Sequence, residues 1–534
     1  VEFDGTASKI DGIAVDSNTP LTNTVKAHNF KNGFCEDCGA LDEPLLNSDS
    51  FYEIENAGQL YWFSMQVRHG DTDINGKLIS DITVNEKVLS GDNLIADTSD
   101  LREWVPIGNA FDQFSGEFNG NGKSIGGLYI DRADLKYMGL FSYVKNADIY
   151  GITVYDSYIS GDTYVGGITG FSTYTDISDC YNRSVIKGEK AGGIVGTSEG
   201  NTVIKNCGNY GSISGERYIG GIAGHSYVEI SNCYNRGDVK ALYTYDSYAG
   251  GIVGNCYGKV TDCFNTGYIS GTESSSSIGG IAGHVTTNNI VQRSYNAGYI
   301  YGSNRIGGII GYNSGTALNC YNRGTVNGAY RTGGIVGENS SGGKVTNTHN
   351  IGNVNGSSTY IGAIVGENKS TINNSYYLEN CAVVATYGSE PVYQKGVGVN
   401  TENSAGEDVA GQTASGTSSE FASGKIAYQL QSGNTEQVWG QKDNQDGTYP
   451  IIDTNAIYGV AKIGETDNYA VAGSGDTNGD GIVNVIDYQA LINTILSDNH
   501  DEIETANYGN LIKYDIISDG YLDVLDAHAM HLLI

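Results

Sequence analysis

The segment 476–487 combines oxygen-bearing side chains with the spacing of a calcium-binding loop. Its sequence, DTNGDGIVNVID, places Asp or Asn at loop positions 1, 3, 5, 9 and 12, and Gly481 at position 6, where the chain must turn sharply. Calcium takes six to eight oxygen ligands, and the residue at position 7 offers its backbone carbonyl. The predicted ligands are Asp476, Asn478, Asp480, Ile482, Asn484 and Asp487.

A second loop, DIISDGYLDVLD, begins at Asp515 and repeats the acidic residues at positions 1, 5, 9 and 12. Ile517 replaces the usual oxygen-bearing residue at position 3, so the second site is predicted to bind calcium more weakly. The predicted ligands are Asp515, Asp519, Tyr521 through its carbonyl, Asp523 and Asp526. Two calcium ions are therefore expected.

Two tandem loops, each followed rather than preceded by a helix, resemble a dockerin, the module that binds cohesins in cellulosome-like assemblies. The resemblance covers about residues 476–534 and implies a cohesin as partner. It also implies that residues just after the position-9 ligand help to recognise the cohesin, which here are Val485-Ile486 and Val524-Leu525. These apolar pairs either form the contact face or close the small core of the module. Calcium is expected to order the loops, because their acidic ligands repel one another without the ion.

His28, Cys35 and Cys38 form a His-x6-Cys-x2-Cys pattern near the start of the sequence. Imidazole and thiolate groups are the ligands that zinc prefers, but a structural zinc site normally has four of them. Lys26 stands where a fourth ligand would be sought. A zinc ion, a Cys35–Cys38 disulfide and two free thiols are the alternatives for this element.

From about residue 164 the chain repeats Gly-Gly-Ile-apolar-Gly, a variable stretch, and then Asn/Asp-Cys-Tyr-Asn-x-Gly. Each copy holds three apolar stretches of strand length between Gly or Asn turns, without a helical period. The pattern predicts a mainly β protein in which each copy is one turn of a parallel β-helix, or solenoid, followed by a small all-α calcium module. The glycine pairs lie 26 to 30 residues apart and begin at Gly166, Gly192, Gly220, Gly250, Gly279, Gly307, Gly333 and, in degenerate form, Gly362.

Stacked coils place equivalent residues on one another about 4.8 Å apart, which predicts columns along the solenoid. Asn tolerates left-handed backbone and its amide can bond to the next copy, so the Asn column is predicted to mark a corner. The Cys column is predicted to hold small buried thiols. The two aliphatic columns are Ile168, Ile194, Ile222, Ile252, Ile281, Ile309, Ile335, Ile364 and Ile186, Ile213, Val239, Ile269, Ile300, Val326, Val354. The other two are Asn182, Asn209, Asn235, Asn265, Asn296, Asn322, Asn350 and Cys180, Cys207, Cys233, Cys263, Cys320.

The copies between about residues 164 and 381 resemble the GLUG motif of bacterial surface and secreted proteins. The lead-in FSGEFNGNG, from Phe114, resembles the opening coil of such solenoids. Leu60, Phe63 and Val67 share one helical face and are predicted to plug the open end of the β-helix. The resemblance implies a solenoid and a surface location, and it implies no reaction.

The charge balance narrows the range of partners. The chain has 30 basic and 61 acidic residues, a formal charge of −31, so nucleic acid and anionic membranes are disfavoured. No apolar run approaches the roughly 18 residues of a membrane span. The sequence begins at Val1 without a signal segment, as expected for a mature secreted form or a trimmed chain. An extracellular location is predicted.

The expected organisation is a leader with the Cys/His element (1–50), a capped solenoid (51–381), a closing region (382–463), a linker (464–475) and the dockerin-like module (476–534). No catalytic residue is nominated: Asp176, Asp179 and Asp262 are expected in strands, without a basic set around them. The preferred function is a non-catalytic adhesin or binding rod, with polysaccharide as one candidate ligand for its Tyr-rich exterior. A polysaccharide-degrading enzyme and a protein that assembles with its own copies into fibres are the alternatives.

Overall fold

The main body of the molecule is a parallel β-solenoid of about 12 turns, as predicted. The computed structural model describes residues 28–242, 247–272, 276–384, 392–400, 413–442, 448–455, 459–462, 469–471, 485–497, 502–504 and 521–523, with the short strands Lys9–Ile10 and Ile13–Ala14. Within the solenoid, successive coils pair in parallel and in register, so that Ile186 lies beside Ile213 and Ile213 beside Val239.

Three sets of strands form the walls of the solenoid. The first set is a ten-stranded sheet: Phe141–Lys145, Thr169–Thr173, Val195–Glu199, Ala223–Ser226, Val253–Cys256, Ala282–Val285, Ile310–Asn313, Val336–Asn339, Val365–Asn368 and Val397–Asn400. The second is Glu117–Asn119, Asp148–Tyr150, Asp176–Ser178, Val203–Lys205, Glu229–Ser231, Lys259–Thr261, Ile290–Gln292, Thr316–Leu318, Lys344–Asn350 and Thr371–Leu378. The third is Tyr129–Arg132, Thr153–Gly161, Tyr181–Gly192, Ile213–Gly220, Val239–Ala241, Ile269–Gly271, Ile300–Gly307, Val326–Gly333, Val354–Gly356 and Ala382–Val384.

Both predicted aliphatic columns line the interior. Every residue of the Ile168 column and of the Ile186 column is buried in one continuous core. Each side chain in these columns packs on its equivalent in the coils before and after it, and burial of a side chain of this size contributes about 1.5–3 kcal/mol. The interior of the solenoid is therefore an aliphatic stack that extends through the whole repeat.

The asparagine column forms a ladder of amide hydrogen bonds inside the solenoid, as predicted. Asn209 Nδ2 donates to Asn235 Oδ1 at 2.7 Å, and Asn235 Nδ2 donates to Asn265 Oδ1 at 2.8 Å. Each amide also bonds to the backbone two residues later, as Asn209 does with the N–H and the carbonyl of Gly211. The second glycine of each pair makes room for the ladder, because a Cβ at Gly221 would lie 2.5 Å from Asn235 Oδ1.

The prediction that this column marks a corner is wrong. Its asparagines lie in strands, and the left-handed residue stands three positions earlier, with φ of 53° at Asp179, 56° at Asn206 and 55° at Asp262. The placement of Asp179 and Asp262 in strands is wrong for the same reason. An amide that points inward to its neighbour requires extended backbone, whereas the corner takes a residue whose short polar side chain tolerates the left-handed region.

The cysteine column is a ladder of free thiols, as predicted. Cys180, Cys207, Cys233, Cys263 and Cys320 are all buried, and none is in a disulfide. The Cys233 Sγ accepts from the backbone N–H of Cys207 at 3.4 Å. Ser294 takes the same place between Cys263 and Cys320, so the position selects for a small side chain rather than for sulfur chemistry.

The helix Ala57–Arg68 packs against the first coils. Asn56 caps its start by accepting a hydrogen bond from the N–H of Gln59. Leu60, Phe63 and Val67 are buried in the solenoid core, as predicted, and the Phe63 ring lies 5.5 Å from that of Phe118. The strands Phe51–Ile54, Asn75–Leu78 and Ile82–Thr83 flank the helix and start the parallel stacking.

A second, separate core covers one outer face of the last coils. It contains the helices Ser418–Ala422 and Lys425–Gln431 and the antiparallel pair Trp439–Gly440 and Ile451–Ile452. Phe421, Leu430 and Trp439 form one buried cluster with Tyr321, in which the Trp439 ring lies 6.2 Å from that of Tyr321. The indole Nε1 of Trp439 donates to Asn319 Oδ1 at 3.1 Å, which ties this closing segment to a corner of the solenoid.

Removal of one amide from the ladder is expected to destabilise the solenoid. In Asn235→Ala, Asn209 loses its acceptor and Asn265 loses its donor, so the free energy of unfolding should fall by about 2–4 kcal/mol. Urea denaturation monitored by circular dichroism measures the change. The exposed Asn201 supplies the matched control, Asn201→Ala, which should leave the midpoint unchanged. Equal midpoints for the two variants would contradict the prediction.

The stability of the closing segment is expected to depend on pH through His349. Burial lowers the pKa of His349 to about 3, while the Nε2 atom lies 2.9 Å from the carbonyl oxygen of Pro450. The unfolded chain takes up a proton below pH 6.5, the ordinary pKa of histidine, whereas the folded chain stays neutral until about pH 3. The contribution of neutral His349 to the free energy of unfolding is therefore fully present above pH 6.5. The free energy of unfolding falls as the pH falls below that value, by about 3 kcal/mol at pH 4.

His349→Phe removes this titration and keeps an aromatic ring in the column, where Phe264 already stands three coils earlier. The difference in unfolding free energy between the wild type and this variant should shift by about 3 kcal/mol, against the wild type, between pH 7 and pH 4. Urea denaturation of both proteins at the two pH values tests this. A difference that is the same at both values would refute the assignment.

Candidate functional sites

The structure describes part of the calcium module. The helix Val485–Ser497 begins at the end of the first loop, and Glu502–Glu504 pairs in antiparallel fashion with Tyr521–Asp523. Asp487 lies in the first turn of that helix, and the strand that contains Tyr521 and Asp523 belongs to the second loop. The other predicted ligands lie outside the described residues: Asp476, Asn478, Asp480, Ile482, Asn484, Asp515, Asp519 and Asp526.

The first apolar pair of the module is exposed at the start of its helix. Val485 is 65% exposed and Ile486 is 61% exposed, whereas Leu491 of the same helix is buried. The helix thus presents two adjacent aliphatic side chains on its surface. The second pair, Val524 and Leu525, lies outside the described residues.

His28, Cys35 and Cys38 converge, as the sequence pattern predicted. The Nδ1 atom of His28 lies 3.3 Å from Cys35 Sγ and 3.4 Å from Cys38 Sγ, and all three ligand atoms lie within 4.8 Å of one another. Both cysteines are free thiols. With zinc–nitrogen and zinc–sulfur bonds of about 2.0 and 2.3 Å, the nitrogen–sulfur edge of a tetrahedral site is about 3.5 Å, close to these separations.

The electrostatics of the three residues favour a thiolate. The hydrogen bond from His28 lowers the pKa of Cys35 to about 6, against the opposing effect of burial. A thiolate is the form of cysteine that binds metal ions. The trio therefore offers one sulfur anion near neutral pH, together with an imidazole and a second sulfur.

The segment that carries His28, Cys35 and Cys38 is hydrogen-bonded to the start of the helix Ala57–Arg68, which we call the cap helix. Phe30–Lys31 and Phe34–Cys35 form a short hairpin whose turn contains Asn32 and Gly33, with φ of 77° at Gly33. Asn32 accepts from the N–H of Ala57 and donates to the carbonyl of Thr83. These bonds join the hairpin to the start of the helix and to the first coil.

A cluster of charges on the ten-stranded sheet was not predicted from the sequence. Glu338 and Glu367, both nearly buried, stand at the same position in successive coils. Arg305 Nε donates to Glu338 Oε2 at 2.7 Å, and Lys369 Nζ donates to Glu338 Oε1 at 2.6 Å. Arg331 donates to Glu367. The signal was present as Gly-Gly-Ile-Val-Gly-Glu and Gly-Ala-Ile-Val-Gly-Glu in two neighbouring copies, but the cations come from other positions of the repeat.

The pairing in this cluster gives the carboxylates a structural role. Burial alone would raise the pKa of Glu338, but the hydrogen bonds from Lys369 and Arg305 outweigh it and lower the pKa below its ordinary value. A general acid in glycoside hydrolysis needs a raised pKa and an accessible proton. Glu338 has a lowered pKa, and both of its oxygens are engaged by cations.

Five rings form a continuous stack on an outer face of the solenoid: Tyr234, Phe264, Tyr295, Tyr321 and His349. Neighbouring centroids are 4.8 to 5.2 Å apart, with interplanar angles of 1° to 10°. Because each ring covers the face of the next, the interior faces of the stack are not available to a sugar ring. The closing segment also covers the end of the stack at Tyr321 and His349.

Among the helices that the structure describes, none is long and apolar enough to cross a membrane.

Two proteins of known sequence each match part of the chain. Halomucin from Haloquadratum walsbyi is 29% identical over 211 residues, which are 38% of this chain and 2% of halomucin. A candidate Gly-rich membrane protein from Evansella cellulosilytica is 37% identical over 71 residues, 12% of this chain and 8% of that protein. The chain thus spans only a small part of either relative.

Two solved structures also resemble the chain. A candidate immunoglobulin A1 protease from Bacteroides ovatus aligns over 78% of this chain and 96% of its own, with 17% identity and a TM-score of 0.32. A structure described as IgA1 protease aligns over 68% of this chain and 24% of its own, with 17% identity and a TM-score of 0.35. Likeness at this level gives no basis for assigning their activity to this chain.

Residues 474–533 match the dockerin type I domain family. Type I dockerin domains bind calcium, have cohesins as partners and belong to extracellular cellulosome-type assemblies. The match includes both predicted calcium loops and both apolar pairs. The chain is therefore a β-solenoid protein that carries a type I dockerin domain at residues 474–533.

Proposed function

We propose that this protein is a secreted, non-catalytic binding rod that its dockerin attaches to a cohesin of an extracellular assembly, in a calcium-dependent manner. The observation that carries the proposal is the dockerin type I match over residues 474–533, which includes two tandem loops with calcium-ligand spacing. The resemblance of the solenoid repeats to the GLUG motif of surface and secreted proteins supports the same location. The solenoid is then the cargo that the dockerin holds in place.

Calcium orders the attachment module. Asp476, Asp480 and Asp487 bring three like charges into one twelve-residue loop, and their repulsion opposes folding until an ion neutralises it. The second loop has Ile517 where the first has an oxygen ligand, so it fills at higher calcium concentration. Two ions bind per chain, the first more tightly than the second.

The apolar pairs form the contact with the cohesin. Val485 and Ile486 are more than half exposed at the start of their helix, the arrangement of a docking surface rather than of core residues. Val524 and Leu525 occupy the equivalent place in the second loop. Apolar anchors at the centre of an interface supply most of its binding energy.

The outer surface of the solenoid supports binding rather than catalysis. Its nearly buried carboxylate pair, Glu338 and Glu367, is held by three cations, and the pKa of Glu338 is lowered. In a second column, Glu117, Asp148 and Asp176, partial burial and the neighbouring carboxylates raise the pKa of Asp148, so an enzymatic alternative would be tested there first. A degradative enzyme would need an unpaired acid beside an accessible groove. A fibre-forming role lacks a supporting observation of this kind.

Zinc is proposed as a second metal, bound by His28, Cys35 and Cys38. The three ligand atoms already lie within 4.8 Å of one another, and the His28 bond favours the Cys35 thiolate. Three protein ligands leave one position of a tetrahedral ion for water or for a residue outside the described part of the chain. Bound zinc would lock the hairpin that packs on the cap helix.

Cohesin binding is expected to require calcium and the apolar pair. In a pull-down with a panel of type I cohesin modules, the full chain should bind at millimolar calcium and lose binding in excess EGTA. Val485→Ser/Ile486→Ser should weaken binding at least tenfold, because it removes two exposed anchors. The matched control is Leu45→Ser/Leu46→Ser, which alters two adjacent exposed leucines elsewhere. Binding that persists in EGTA, or equal loss in both variants, would refute the proposal.

Zinc analysis of the purified full chain is expected to give one ion per molecule. Cys35→Ser/Cys38→Ser should abolish it, because the remaining imidazole cannot hold the ion alone. Cys256→Ser is the control, since Ser226 occupies the same position in the preceding coil and a serine fits there. Metal content is read by inductively coupled plasma mass spectrometry, and thiol counting checks the redox state. A wild type without zinc, or with a Cys35–Cys38 disulfide, would contradict the assignment.

A further inference from the structure

A cavity of about 390 Å³ lies between a surface hairpin and the outer face of three coils. Its floor is a column of Tyr155, Arg183 and Tyr210, which are equivalent residues of successive coils. Asp92 on the hairpin and Asp156 on the solenoid contribute carboxylates to the walls. The volume falls within the range of about 300–1,000 Å³ that is usual for small-molecule sites.

The hairpin that forms one wall is anchored rather than loose. Leu89–Ser90 pairs with Asn93–Leu94, and Val88 is buried against Tyr158 and Val185 of the solenoid. Asn85, at the base of the hairpin, donates to the carbonyls of Arg102 and Gly127. The wall is thus anchored on the solenoid at its base and along its strands, where Leu89 and Leu94 pack against Val88, whereas the turn that carries Asp92 is exposed.

The floor alternates aromatic and cationic side chains. The guanidinium of Arg183 lies 4.5 Å from the centre of the Tyr210 ring. Tyr210 is 37% exposed, and its hydroxyl oxygen lies 2.8 Å from that of Tyr234, the first ring of the stack. The hydroxyl of Tyr155 lies 3.3 Å from Thr83 Oγ1. Tyr155 and Tyr210 are separated by Arg183, whose guanidinium covers part of the Tyr210 ring, so a ligand would contact the part of Tyr210 that remains exposed.

The charges in the cavity select against acidic ligands. Two carboxylates and one guanidinium give the lining a net charge of −1, in a chain whose formal charge is −31. A polyanion would meet repulsion from Asp92, Asp156 and the whole field of the protein. A neutral ligand with many hydroxyl groups would donate to the carboxylates and accept from the guanidinium.

We propose that this cavity binds a neutral sugar residue of a polysaccharide. Tyrosine rings provide apolar contact with the C–H groups of a sugar, while Arg183 and the two aspartates fix its hydroxyl groups. The inference deepens the proposed function of a binding rod, on which it rests, by naming the ligand class and the site. The proposed sugar site lies near the first coils. The stacked rings from Tyr234 to His349, further along the solenoid, are not part of it.

Affinity electrophoresis of the full chain in gels that contain a soluble polysaccharide tests the site. The neutral probes are galactomannan, xyloglucan and mixed-linkage β-glucan, and the acidic probe is polygalacturonate. At least one neutral probe should retard the wild type and polygalacturonate should not. Arg183→Ala and Tyr210→Ala should each weaken the retardation at least tenfold. The control is Tyr301→Ala, which removes another exposed tyrosine outside this cavity and should leave the retardation unchanged.

The proposal is overturned if no neutral probe retards the wild type, if polygalacturonate binds as well as the neutral probes, or if Arg183→Ala and Tyr210→Ala bind like the wild type. Circular dichroism spectra of each variant exclude loss of binding through unfolding. The same preparations are tested for calcium-dependent cohesin capture. If the wild type is captured by cohesin but binds no glycan, the assignment of the cavity is overturned and the attachment proposal stands. If the wild type binds glycan but is not captured by cohesin, the attachment proposal is overturned and the assignment of the cavity stands.

Discussion

The parallel pairing of one coil with the next, strand on strand and in register, is the constraint on which the rest of this molecule depends. Parallel stacking about 4.8 Å apart places each side chain on its equivalent. A side chain must therefore fit against the side chains at the same position of the neighbouring coils, which are often of the same type. Aliphatic groups do so by packing, amides by donating to one another, and aromatic rings by covering each other's faces, as the Ile168, Asn182 and Tyr234 columns do.

Like charges are the case in which this constraint is hardest to meet. Glu338 and Glu367 stand one above the other with little solvent to screen them, so the repulsion between two carboxylates opposes this arrangement. Arg331 and Lys369 remove that conflict by bridging the two carboxylates, and Arg305 bonds to Glu338. The ion pairs of this cluster are therefore explained by the repeat, and the cluster gives no evidence of catalysis.

The repeat also explains which features the sequence could predict. The Ile and Cys columns and the amide ladder follow from a fixed period, and the convergence of His28, Cys35 and Cys38 follows from their short spacing. The corner lies three residues before the position that the sequence predicted. Asn occurs at both positions, as at Asn206 and Asn209, and the residue type alone does not say which of the two side chains points inward. The cavity beside Arg183 could not be predicted, because its hairpin wall comes from a segment about 90 residues earlier that follows no period.

Ligand binding and repeat symmetry make opposite demands on the surface of such a solenoid. In a column of stacked aromatic rings, each ring packs on the next and only the ring edges are left for a ligand. The stack from Tyr234 to His349 is such a column. A column that alternates Tyr155, Arg183 and Tyr210 leaves ring and guanidinium groups without an identical neighbour, and it is next to this column that a cavity opens. Specific recognition on this fold should therefore occur where the column pattern is broken. The dockerin domain lies outside the repeat and has no stacked copies to stabilise it. If calcium stabilises it, as we propose, the ion would control attachment while the solenoid stays intact.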